Sequence, residues 1–210
     1  MHLYHKVAQS DECLICFEKL NKKVSMTHLI NNEMICLECM GKFKIIEHTL
    51  FFHHYPMRIL YDYNPFFQSL LYQYKGLFDY ALKDAFLALF KDELKRKYKD
   101  YIIVVVPSSD KENSIRGFSP MKEIASTLHN HIFMGLYKKV DYKQSLLSFN
   151  ERKSVKDKIG INHGERLKGK KVLILDDVIT SGSTMEACVD LIEDCHPECI
   201  EILVLASSHW

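Results

Sequence analysis

The chain has 210 residues, 47% of them hydrophobic and 26% charged, which gives room for one α/β domain of about 150 residues plus a small appendage and excludes disordered and fibrous classes. Its unbroken apolar runs, residues 102–106 and 172–175 among them, fall far short of the roughly 20 residues of a membrane span, and residues 1–6 lack the charged start and apolar core of a secretory leader, so a cytoplasmic protein without membrane insertion is expected. With 28 basic and 27 acidic side chains no global field marks an anionic partner, yet residues 138–171 hold eleven basic and four acidic ones, a local +7 in a chain of net +1.

Four of the seven cysteines come first in chain order. They read Cys13-x2-Cys16, nineteen residues, then Cys36-x2-Cys39, the spacing of two zinc knuckles. Each Cys-x2-Cys turn aims two thiolates at one centre, and two such turns close a tetrahedral site with no position left for chemistry. Two disulfides are the alternative, but a cytosolic chain would keep them reduced. One structural Zn2+ is therefore expected to hold residues 1–45 together as a ribbon too small to bury a core of its own. Residues 46–210 would form the α/β domain.

Residues 43–63 alternate apolar and polar side chains, as a hairpin or two strands would. Asn64-Pro65 starts a helix over 66–74, which Gly76 stops. A longer amphipathic helix is expected over 78–97, with apolar residues at 78, 82, 85, 86, 89 and 90. Residues 101–106 are a continuous β-branched run, as in a strand covered on both faces. A polar loop (107–119), a helix (120–133), a weak strand (135–140) and a helical stretch (143–149) follow, then a basic segment with little apolar surface up to Lys170. A second buried strand (171–175), a helix (183–194) and a last strand (200–205) complete the pattern. This alternation predicts an α/β fold, a mostly parallel sheet flanked by helices on both faces. Cys188, Cys195 and Cys199 read as ordinary packing residues, and no histidine is assigned a role.

The chemistry concentrates in residues 172–184. An apolar strand ends in Asp176 and Asp177, and the small-residue loop Thr180, Ser181, Gly182, Ser183, Thr184 opens a helix. Ligands of parallel sheets bind beyond the carboxyl ends of strands, and backbone N–H groups at a helix N-terminus make a cradle for a phosphate monoester. Gly182 lets the backbone turn and approach the anion. Two carboxylates beside such a cradle need a different counterpart, either a ribose diol or a divalent cation. Both can serve one ligand only if the chain is already turning there.

This stretch resembles the phosphoribosyl-pyrophosphate (PRPP) fingerprint of type I phosphoribosyltransferases: four hydrophobic residues, two acids, then an apolar-apolar-Thr-Ser/Thr-Gly-x-Thr loop. The resemblance implies that Asp176 and Asp177 hold the ribose hydroxyls and that Thr180, Ser181, Gly182, Ser183 and Thr184 hold the 5′-phosphate, with Mg2+ accompanying PRPP. Beyond it, the four-Cys ribbon, Tyr74-Lys75-Gly76, Val106-Pro107, Arg116-Gly117-Phe118 and the pattern Gln144, Leu147, Arg152 are together similar to the ComF (ComFC) family, associated with DNA uptake in natural transformation. The chain departs from that family at Ser119-Pro120, where Asn-Gln is usual, and lacks the Asn that usually follows the Arg152 position. Arg116 is then a candidate pyrophosphate clamp or a solvated loop arginine, Lys75 a phosphate ligand or a helix-terminal cation, and Ser108 a backbone donor to the same site.

Three functions are compatible with this pattern. The preferred one is a cytoplasmic competence protein that binds PRPP and handles incoming single-stranded DNA. Lys168, Lys170 and Lys171 are its candidate DNA contacts, and a DNA-uptake motor ATPase or recombination mediator is a partner implied by the resemblance. Tyr137, Tyr142 and Phe149 could stack bases, although core packing is the expectation for each. The second is an active phosphoribosyltransferase using PRPP and Mg2+ with an unknown acceptor. The third is a scaffold whose zinc ribbon docks another protein and whose PRPP site is regulatory.

Overall fold

The computed structural model describes residues 11–20, 34–46, 49–139 and 159–208. Its strands are β1 (Thr49–Phe52), β2 (Tyr55–Asp62), β3 (Tyr101–Val105), β4 (Ile132–Phe133), β5 (Leu136–Lys138), β6 (Ile159–Ile161), β7 (Lys171–Ile179) and β8 (Cys199–Ser207). Its α-helices are α1 (Leu37–Gly41), α2 (Pro65–Gly76), α3 (Lys91–Lys97), α4 (Asp110–Arg116), α5 (Pro120–Ser126) and α6 (Ser183–Glu193). Six strands form one sheet in the order β1-β2-β8-β7-β3-β4, parallel except for the β1–β2 hairpin, and β5 and β6 pair separately and antiparallel.

The apolar runs are continuous because β3, β7 and β8 are covered on both faces, and the period-2 geometry of a strand sorts their residues between two layers. Leu173, Leu175, Leu203, Leu205, Ile103 and Val105 pack on one side with α2, α3 and α5. Val172, Ile174, Ile202, Val204 and Val104 pack on the other with α6 and the β5–β6 pair. Helix α2 starts as its sequence dictates. Asn64 Oδ1 accepts the Phe67 amide at 2.9 Å, and Pro65 fills the first turn, where a missing N–H costs nothing.

Several elements differ from the sequence expectation. Residues 78–97 are not one helix but a 3-10 helix (Tyr80–Asp84), a series of turns, and the short α3. The stretch is buried on two sides. Phe86 and Leu87 enter the sheet core while Ala85 and Ala88 pack against the N-terminal cysteines, so four consecutive residues are buried. An α-helix lying on a single layer buries only one stripe, whereas a chain threading between two layers can bury every residue. The expected loop at 107–119 contains α4, capped by Ser109, whose Oγ accepts the Glu112 amide at 3.5 Å, and ended by Gly117 in the left-handed region (φ +81°). The expected helix at 120–133 stops at Ser126, and Ile132–Phe133 joins the sheet beside β3.

The basic segment holds β6 and a 3-10 helix (Gly164–Leu167), whose Ile159 and Leu167 are buried. Tyr137 is not a core residue: it is 37% exposed, and its ring covers Gly160 across the β5–β6 pair. The stretch 143–149, the Gln144, Leu147, Arg152 pattern, Tyr142 and Phe149 lie outside the described residues. Among the described residues no helix is long and apolar enough to cross a membrane.

Candidate functional site

Strand β7 does not stop at the acids. It runs through Asp176 and Asp177 to Ile179, and local side-chain bonds bring both carboxylates to one cleft at its carboxyl end. Asp176 Oδ1 accepts the Asp177 amide at 2.9 Å, and Asp177 Oδ1 accepts the Val178 amide at 2.7 Å. The cleft has a volume of about 290 Å3, and the residues of the fingerprint from Asp176 to Thr184 line it. Thr180 and Ser181 are exposed at its mouth, whereas Gly182, Ser183 and Thr184 are half-buried. Gly182 caps α6 at φ +75°, and the amides that follow it belong to a first helical turn, which has no intrahelical acceptor for them. Ser181 Oγ lies 3.1 Å from Ser183 Oγ, which fixes the loop's hydroxyls side by side. A Cβ at position 182 would meet the Phe52 ring at 2.9 Å, so β1 backs the loop from behind.

The opposite wall is built from distant parts of the chain. Lys75, in the last turn of α2, forms an ion pair through Nζ with Asp177 Oδ2. Its backbone is pinned twice. The buried Tyr74 hydroxyl donates to the Pro120 carbonyl at 2.8 Å, and Arg116 Nε donates to the Lys75 carbonyl at 2.8 Å. Arg116 Nη1 and Ser108 Oγ both donate to Asn113 Oδ1, at 3.2 and 3.0 Å, which ties α4 to the loop after β3. Arg116, Ser108 and Lys75 all line the same cleft as the two acids.

Sequence reasoning missed Lys138 and Glu112, which also line the cleft. Lys138 lies in the basic segment, and its position on β5 was a signal only in retrospect. Glu112 belongs to the capping pattern Ser109-x-x-Glu112, a readable sign of α4. Burial pushes the Asp176 carboxyl up to about 7, against the pull of Lys75 and Lys138. Burial likewise pushes Lys75 down to about 8, with Asp176 opposing and Arg116 adding to the fall. The cleft is thus a desolvated set of opposed charges, able to take a ligand with both hydroxyl donors and anionic groups.

The four cysteines come together as their spacing predicts. All four Sγ atoms lie within 4.8 Å of one another, and Cys16 Sγ is 3.6 Å from Cys36 Sγ. Zinc with four thiolates at about 2.3 Å puts neighbouring sulfurs about 3.8 Å apart, so the set fits that ion. The Ile15 and Cys36 amides point at Cys13 Sγ, at 3.4 and 3.3 Å. Burial would raise the Cys13 thiol, but backbone amides of Cys16, Cys36 and Ile15 outweigh it and bring it down to about 7, whereas burial and the neighbouring sulfurs push Cys39 up. Elsewhere Cys188 is fully buried in α6, and Cys195 Sγ donates to the Leu191 carbonyl at 3.2 Å, as expected of packing residues.

The candidate DNA lysines are not at the cleft. Lys171 begins β7, and Lys168 and Lys170 lie on the preceding turn, so about 26 Å of strand separates them from the phosphate loop. Lys168 and Lys170 are exposed, whereas Lys171 is half-buried with Nζ 3.7 Å from Glu198 Oε1.

The family described as Phosphoribosyl transferase domain matches residues 91–209. Competence protein ComFC of Streptococcus pneumoniae is 28% identical over 137 residues, which cover 65% of this chain and 61% of ComFC, so less than two thirds of that relative is spanned. Transcriptional regulator GfcR of Methanocella arvoryzae is 54% identical over 39 residues, 19% of each chain. Among solved structures, a hypoxanthine phosphoribosyltransferase from Staphylococcus aureus is similar with a TM-score of 0.39 at 15% identity, covering 58% of this chain and 61% of its own. A purine phosphoribosyltransferase from Pyrococcus horikoshii gives a TM-score of 0.40 at 20% identity, covering 60% and 73%.

Proposed function

The chain belongs to the phosphoribosyl transferase domain family, and from that premise we propose that its cleft binds PRPP and that it is a ComFC-like cytoplasmic competence protein handling incoming single-stranded DNA. The 5′-phosphate sits on Thr180, Ser181, Gly182, Ser183 and Thr184, and the ribose hydroxyls donate to Asp176 and Asp177. The observation that carries this reading is the meeting of an acid pair and a helix N-terminal loop in one cleft at the carboxyl end of a central parallel strand. Mg2+ accompanying PRPP would neutralise charge on its pyrophosphate. Cys13, Cys16, Cys36 and Cys39 hold a structural Zn2+ that organises residues 1–45 and takes no part in chemistry. DNA phosphates meet the basic segment, at Lys168 and Lys170 away from the cleft, and a motor ATPase or recombination mediator passes the strand on.

Calorimetric titration with PRPP and Mg2+ tests the cleft. Asp176→Ala with Asp177→Ala should weaken binding by about 2–5 kcal/mol, each charged hydrogen bond being worth about 1.5–3 kcal/mol and the two not fully additive. Undiminished affinity in that variant would move the ligand elsewhere.

One observation favours a second reading, an active transferase. Lys75, Arg116 and Lys138 bring three cations to the same cleft as the acid pair, a set suited to a departing pyrophosphate. Steady pyrophosphate release with one of a panel of acceptors selects that reading, and binding without turnover selects the first.

A further inference from the structure

We infer that Lys75 is a specificity-determining residue, an internal cation that occupies Asp177 in the free protein and so makes the site prefer a sugar phosphate carrying a second anion at C1 over plain ribose 5-phosphate. The inference rests on the PRPP reading of the cleft and adds how that site rejects its own hydrolysis product.

The geometry is specific about competition. Asp177 Oδ1 accepts the Val178 amide at 2.7 Å, and Oδ2 accepts Lys75 Nζ. Both partners are sheltered, their side chains 17% and 29% exposed for Asp177 and Lys75. A ribose hydroxyl that approaches Asp177 therefore meets an oxygen already engaged by an ammonium. Replacing that charged donor with a neutral hydroxyl loses about half the strength of the bond, since charge-assisted hydrogen bonds are roughly twice as strong as neutral ones. It also takes from the sheltered ammonium its ion-pair partner, which is costly even with the Asp176 carboxyl nearby.

Ribose 5-phosphate brings nothing to offset that loss, because its one anion is bound by the loop after β7. PRPP brings a pyrophosphate at C1 as a new partner for the displaced ammonium. The backbone of Lys75 cannot retreat to relieve the conflict. Its carbonyl is held by Arg116 Nε at 2.8 Å, and the neighbouring Tyr74 is fully buried and bonded to Pro120. Only the flexible stem moves, so the ammonium swings between Asp177 and the incoming anion. The other charges facing this position are Asp176, Glu112, Arg116 and Lys138, the two acids favouring the ammonium and the two cations opposing it.

The test compares two ligands on three proteins, the full chain as wild type, Lys75→Met and Lys75→Arg, by calorimetry at one Mg2+ concentration. In wild type PRPP should bind more tightly than ribose 5-phosphate. In Lys75→Met the preference should shrink by about tenfold or more, with PRPP weakened and ribose 5-phosphate unchanged or tightened. Lys75→Arg should keep most of the preference. A circular dichroism melt on each variant checks folding, and Lys75→Gln stands in if the methionine variant does not fold. Equal weakening of both ligands, or an unchanged ratio, overturns the inference while leaving the PRPP site in place. Failure of wild type to bind either ligand overturns the PRPP reading itself, and this inference with it.

Discussion

Gly182→Ala isolates what the phosphate loop requires of its backbone. Gly182 sits at φ +75°, where an L-residue with a Cβ loses about 1–2 kcal/mol. The new methyl would also stand 2.9 Å from Phe52 Cε2 and 3.4 Å from Cζ, so the half-buried ring must rotate off its preferred rotamer, at about 0.5–1.5 kcal/mol. Together these predict a loss of about 1.5–3.5 kcal/mol, read as a lower urea midpoint by far-ultraviolet circular dichroism with an unchanged slope. The two contributions separate in a Phe52→Leu background. There the same substitution should cost only the backbone part, about 1–2 kcal/mol, and the difference is the coupling between the ring and the loop. PRPP affinity should fall in both backgrounds, since the phosphate-binding amides follow this residue. A cost under about 0.5 kcal/mol would refute the backbone argument, and an identical cost in both backgrounds would refute the role given to Phe52.

The purified protein should carry one zinc per chain, and Cys39→Ser should release it; because Ala85 and Ala88 pack on the cysteines, faster amide exchange is expected across residues 85–88 as well as in the ribbon, and metal analysis finding no zinc would end this claim. Stability should depend on pH in a characteristic way. Asp176 rises from an ordinary 3.8 to about 7, so the folded protein holds a proton the unfolded chain releases, and stability falls as pH rises through that window; Asp176→Asn should flatten this limb in urea midpoints taken across it. Lys75 falls from 10.5 to about 8, so the unfolded chain binds the extra proton and stability rises with pH between those values. For DNA, about four engaged cations predict a salt slope near −3 for single strands, and Lys168→Glu with Lys170→Glu should flatten it without changing PRPP affinity; unaltered binding would shift the contact to the ribbon.

What could be read from the chain alone has a common character. The cysteine pairs, the capped start of α2 and the run from Val172 to Thr184 are local patterns. A metal's tetrahedron, a helix's first turn and a strand ending in a loop each constrain residues close in sequence, so spacing reports them directly. The capping pattern at Ser109 and Glu112 was equally local, and its helix was legible, though hidden within a polar stretch. The rest depends on what packs against what. Hydrophobic periodicity records that Ala85, Phe86, Leu87 and Ala88 avoid water, but not that two different layers receive them. Lys75 and Asp177 are remote in sequence and meet only because α2 lies against the face of the sheet from which β7 delivers Asp177. Phe52 behind Gly182, Arg116 on the Lys75 carbonyl and Lys138 at the cleft mouth have the same origin. The loop at the cleft was thus written locally, while the charges that face it were set by tertiary packing, because Coulomb interactions act through space and leave no period in the sequence.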